Sequence, residues 1–124
     1  MHYTLDHLAF KVSSLTEAVR RLQHKGAICE HTGFFPEVGM HIGFIRYNNH
    51  LVELLEPADA ACPIWNDPVG LHHIGLAVPN VYLWHKQLSE EIHYFKPEPL
   101  RKGRHGDIFF FRLVEHPQWL FECL

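Results

Sequence analysis

Apolar and polar positions alternate with a period of two over residues 3–12, where Leu8, Phe10 and Val12 share one face, which predicts a strand. The period then lengthens. Leu15, Ala18, Val19 and Leu22 recur at helical spacing, Ser13-Ser14 offers a cap and Gly26 a stop, so a helix is predicted over 16–25. Strands are predicted over 27–32, 40–47 and 50–55, the last two joined by a tight Asn48-Asn49 turn. Residues 57–70 carry three prolines and no periodicity, the pattern of a linker. Beyond it the order recurs: a strand over 71–78, a helix opened by Pro79-Asn80 and reaching about 91, and an edge segment over 93–100 broken by two prolines. A strand over 107–114, a Glu115-His116-Pro117 turn and a closing strand over 118–123 complete the chain.

The expected class is therefore α+β, a single domain of two βαβββ modules in tandem, at about 3–56 and 71–124. The paired mixed sheets are expected to enclose a metal-binding cavity. The repeat holds at the level of residues. Asp6-His7-Leu8-Ala9-Phe10-Lys11-Val12 lies over His72-His73-Ile74-Gly75-Leu76-Ala77-Val78, with His7 on His73 and small Ala9 on small Gly75. Leu51-Val52-Glu53-Leu54-Leu55 lies over Leu120-Phe121-Glu122-Cys123-Leu124. His and Glu are 46 residues apart in the first half (53 − 7) and 49 in the second (122 − 73).

That repeated pair points to a cation. In a strand, side chains alternate between faces, so His7 and His73 point away from the apolar face that a helix would cover. Glu53 and Glu122 stand in apolar runs, where burying a carboxylate costs several kcal/mol, on the order of 2 to 5, unless it is paired or bound to an ion. Two imidazoles and two carboxylates on one concave surface resolve that cost by sharing one divalent ion. Nitrogen and oxygen donors suit Zn, Co, Ni or Mn.

Composition narrows the classes. The 124 residues can bury roughly two-thirds of their unfolded surface, enough for a core. A net charge of -3 argues against nucleic acid, since phosphate binding needs a basic face. No apolar run reaches the length of a membrane span. Cys29, Cys62 and Cys123 are widely spaced, without a CxxC pair, so free thiols in a reducing cytoplasm are expected. The N-terminal residues lack the basic-then-apolar order of a secretory leader.

On Asp6 to Val12, Glu53-Leu54-Leu55-Glu56-Pro57, Gly70 to Val78 and Leu120-Phe121-Glu122, the whole chain resembles the vicinal oxygen chelate superfamily, which includes glyoxalase I, extradiol dioxygenases and bleomycin resistance proteins. The likeness runs furthest toward the methylmalonyl-CoA epimerases, through Val52 to Pro57, Gly70-Leu71-His72-His73 and the Gly103-Arg104-His105-Gly106 turn. It implies metal ligands at His7, Glu53, His73 and Glu122, a homodimer, and proton abstraction next to a carbonyl of a small acyl-CoA or 2-oxo substrate. Glu122 is then the leading base and Glu53 the alternative. The position at which the epimerases carry a second catalytic carboxylate falls near His41, whose imidazole suits proton return near neutral pH. Arg46, Arg104 and His105 flank the expected site as substrate contacts, and Phe109 and Phe111 share a face that is expected to line it. The competing readings are a glyoxalase I-like lyase, an oxygenase and a ligand-sequestering resistance-type protein.

Overall fold

The computed structural model describes residues 2–124 as a mixed α+β chain with nine strands and two helices. It divides into two compact units, one of residues 7–72 and the other of 73–124 together with 2–6. The first strand therefore begins with the second unit: the ring of Tyr3 stands edge-on to Trp84 at 5.9 Å.

In the first unit the sheet order is β2-β3-β4-β1, formed by β1 (Thr4–Lys11), β2 (Ile28–Phe35), β3 (Met40–Tyr47) and β4 (His50–Pro57). β1 runs parallel to β4, and β2, β3 and β4 are antiparallel. Asn48 and Asn49 both take positive φ, as a two-residue hairpin turn requires. The second strand is longer than its apolar pattern predicts, because a register shift between Cys29 and His31 lets it continue along β3 to Phe35.

Helix α1 (Leu15–His24) is capped by Ser14, whose hydroxyl accepts from the Glu17 amide at 3.2 Å. The Leu15 amide donates to the Glu56 carboxylate at 2.9 Å, so a strand side chain satisfies a second open donor of the first turn. Phe10, Val12, Ile45 and Leu54 pack under the helix with Leu15, Val19 and Leu22. The helix sits close because position 43 has no side chain: a Cβ there would stand 2.9 Å from the Leu15 Cδ1.

The opposite face of this sheet is also covered. Ala9, Ile42 and Leu55 pack against Cys62 and Ile64 from the linker. Lys11, only 8% exposed, holds that linker with hydrogen bonds to the carbonyls of Trp65 (2.7 Å) and Asp67 (2.6 Å). The prolines predict a bare connection, whereas the segment forms part of the core, anchored by one buried ammonium.

In the second unit the order is β5-β9-β8-β6, with β7 also on β8. The elements are β5 (Gly70–Ala77), α2 (Val81–Glu90), β6 (Phe95–Pro97), β7 (Arg101–Lys102), β8 (Asp107–Leu113) and β9 (Leu120–Cys123). The predicted edge segment over 93–100 forms only the short β6, and pairing with β8 resumes in β7, beyond the second proline, since proline cannot donate to a ladder. Asn80 caps α2 by accepting from the Leu83 amide at 2.9 Å. The core under α2 joins Trp84 and Leu88 to Phe109, Phe111 and Cys123. Among the described residues no helix is long and apolar enough to cross a membrane.

Candidate active site

Strand alternation decides which side chains share a face, and in both units His and Glu lie on the face away from the helix. In the first unit Ala9 pairs with Glu53 across β1 and β4, so His7, two residues back, projects on the same side. His7 is 6% exposed. Phe44 of β3 pairs with Glu53, and His31 of β2 stacks on Phe44 with ring centroids 6.5 Å apart. Arg46 falls on this side too, two residues beyond Phe44, where its Nε donates to Glu30 at 2.9 Å.

The second unit repeats the arrangement. Gly75 pairs with Glu122, and His73, 5% exposed, projects beside it. The His73 Nε2 lies 4.0 Å from the Glu122 Oε1. Phe110 of β8 pairs with Glu122 and stands edge-on to His73 at 5.4 Å. The guanidinium of Arg101 lies over the Phe110 ring, 4.4 Å from its centroid.

Several expectations are corrected by these faces. Phe109 and Phe111 do share a face, but it is the α2 face: Phe109 is fully buried and stands edge-on to His85, and Phe111 stacks on Phe121. Phe110 is the aromatic on the Glu122 side. The apolar run Ile108 to Phe111 has no polar alternation to reveal its phase, so only pairing with β9 sets it. His41 is corrected likewise. It lies exposed against Phe34 at 4.9 Å, one residue out of phase with Ile42 and Phe44, on the face that carries α1. It is not on the Glu53 side. His72 points away from His73 and its Nε2 is 2.9 Å from the Asp67 carboxylate. Arg104 and His105 lie exposed in the turn between β7 and β8.

A sequence signal for the missed aromatic pair exists. Phe44 follows His7 by 37 residues (44 − 7), Phe110 follows His73 by 37 (110 − 73), and each Phe is followed two residues later by an Arg. The repeat extends from His and Glu to Phe-x-Arg, and the three extra residues of the second half fall in the β8–β9 turn.

The donor set fits a borderline divalent cation. Two ligands about 2 Å from one ion stand roughly 3 to 4 Å apart, the separation at which His73 and Glu122 face each other without hydrogen-bond contact. Cys123, the neighbour of Glu122, lies on the α2 face instead, where burial and, secondarily, the Glu122 charge push its thiol up to about 12. An apolar cavity of about 480 Å³ lies on the other side of the first sheet, between α1 and Phe10, Val52 and Val69, away from Glu53.

No protein-family model matches the sequence. The fold is one shared with solved structures that include methylmalonyl-CoA epimerases. Among curated proteins the chain is similar to a methylmalonyl-CoA epimerase. The mitochondrial enzyme of Bos taurus is 29% identical over 110 residues, an alignment that takes in 82% of this chain and 62% of the bovine protein. The chain thus spans less than two-thirds of that relative's length. The methylmalonyl-CoA epimerase of Mycobacterium tuberculosis superposes with a TM-score of 0.77 at 20% identity, covering 96% of this chain and 85% of that one. A hypothetical protein of Bacillus halodurans superposes with a TM-score of 0.82 at 21% identity, covering 99% and 94%.

Proposed function

We propose that the chain is a metal-dependent epimerase that abstracts the proton next to the carbonyl of a small acyl-CoA or 2-oxo substrate, with His7, Glu53, His73 and Glu122 as ligands of one divalent ion. We extend the resemblance to a homodimer acting in the cytoplasm. The observation that carries the reading is the duplicated face: in each unit a buried His and a strand Glu project to one side, with a Phe paired to the Glu. The likeness to epimerases supports the reaction class.

A divalent ion held there supplies Lewis-acid stabilisation of the negative charge that develops on a substrate oxygen. The protein supplies the proton transfers. Glu122 is the leading base: it stands in β9 beside Phe110, with the His73 Nε2 4.0 Å from its Oε1. With His41 on the α1 face, return of the proton from the opposite side falls to Glu53, the counterpart of Glu122 in the repeat.

The test is metal analysis of untagged protein purified without chelator, followed by exchange of the α-proton of methylmalonyl-CoA in D₂O. About one divalent ion per chain is expected, and His73→Ala should lose it. Glu122→Gln should keep measurable ion and slow exchange at least about 100-fold, the range for removing a positioned base. Protein that stays empty after incubation with Zn, Co, Ni and Mn overturns the metal assignment, and wild-type exchange in Glu122→Gln removes Glu122 from its role.

A further inference from the structure

The six arginines of the chain are not used alike. Arg20 and Arg21 pair with Glu17, Arg46 pairs with Glu30, and Arg112 donates to the Pro117 carbonyl at 2.9 Å. Arg104 has partners of its own. Arg101 differs: among the described residues its guanidinium has neither a carboxylate nor a hydrogen-bond acceptor, and what holds it is the face of Phe110.

Arg101 is also held in place from its own strand. Its backbone pairs with Ile108. The adjacent Lys102 is bound to Asp107 at 3.1 Å, and Asp107 also accepts from the Tyr82 hydroxyl of α2. That cation and hydroxyl keep the Asp107 carboxyl below its usual range, the Tyr82 hydrogen bond being the larger cause. The turn that follows is tight. The Gly103 amide donates to the Gly106 carbonyl at 2.7 Å, and a Cβ at 103 would lie 2.6 Å from the Ile108 Cγ2. A guanidinium stacked on a ring keeps its in-plane N–H donors pointing outward past the ring edge. The same ring stands edge-on to His73, and Phe110 pairs with Glu122 across β8 and β9, so the cation is stacked on the residue that neighbours the candidate base.

We infer that Arg101 is a specificity-determining residue that receives a carboxylate carried on the acyl part of the substrate. The inference rests on the function proposed above, which places the reacting carbon at Glu122. A planar guanidinium offers two parallel donors to a carboxylate, the pairing at which arginine surpasses lysine. The phosphates of a coenzyme A thioester are the other anions available, but the pantetheine arm keeps them far from the carbon next to the thioester. A cation stacked on the residue beside the base is matched to a group within a few bonds of that carbon.

The test uses metal-loaded and metal-free full-length protein, as wild type, Arg101→Gln and Arg101→Lys. Calorimetry gives Kd for malonate, methylmalonyl-CoA and propionyl-CoA, and proton exchange gives KM and kcat for methylmalonyl-CoA. Arg101→Gln is expected to weaken malonate and methylmalonyl-CoA at least about tenfold, as loss of a charge-assisted pair does. Propionyl-CoA, which lacks the carboxylate, should be unchanged, Arg101→Lys should fall between, and KM should move more than kcat. Wild type that binds no malonate, or variants that bind it equally well, overturn the inference. Equal weakening of both thioesters with malonate unaffected also overturns it, and assigns Arg101 to the coenzyme phosphates. Arginine-dependent malonate binding in a protein that exchanges no proton leaves the inference standing and defeats the proposed reaction instead.

Discussion

Cys123 shows how sharply one residue differs from its neighbour in a strand. Glu122 projects to the candidate site and Cys123 to the core under α2, where it is fully buried. Burial holds its thiol near 12, against an ordinary value of 9.0. An acid whose folded value is raised keeps its proton when the unfolded chain has lost it, so its stabilisation is present below pH 9 and is lost as pH rises toward 12. Denaturant midpoints measured at pH 8 and pH 10 should therefore fall more in the wild type than in Cys123→Ala, which starts less stable because of its cavity. Equal falls would mean that this thiol does not set the alkaline slope. At the level of single residues, the correspondence of His7 with His73 and of Glu53 with Glu122 was legible, because a repeat flags unusual residue types in apolar runs. The placement of Phe109 and Phe111 was not. Three consecutive Phe residues carry no phase, and assigning the odd-numbered pair to the site put the wrong rings there.

At the scale of elements, caps and turns followed the residues that specify them: Ser14, Asn80 and the Asn48-Asn49 hairpin each act locally. The linker did not. Its prolines and small residues signal an irregular path, yet Cys62 and Ile64 enter the core and Lys11 binds two of its carbonyls. Lysine in a strand reads as an exposed residue, and nothing near it in sequence names acceptors 54 and 56 positions away. Replacing Lys11 by Met keeps the stem and removes the donors, leaving two carbonyls to find water. The expected cost is about 2 kcal/mol in denaturant unfolding, with faster proteolytic cleavage between residues 58 and 69. An unchanged cleavage rate would show that apolar packing of Cys62 and Ile64 holds the segment without the ammonium.

For the molecule as a whole, the proposed ion links ligands from both halves of the sequence, so its binding should stabilise the folded chain by mass action. At a free concentration 100 times the dissociation constant the gain is about 2.7 kcal/mol, and Tm should rise with added Zn or Co and return on chelation. His73→Ala should abolish the rise, and a Tm indifferent to every ion tried would contradict the four-ligand assignment. What the sequence alone determined is what depends on short range or on duplication: the two βαβββ units, their caps and hairpin, and the paired His and Glu positions. The tertiary structure decided the phase of the apolar run from Ile108 to Phe111, the outward placement of His41, the anchoring of the linker by Lys11 and the seating of Arg101 on Phe110. Those outcomes are set by which strand pairs with which and in what register. A one-residue change of register exchanges the two faces, and no local pattern in a uniformly apolar run opposes it.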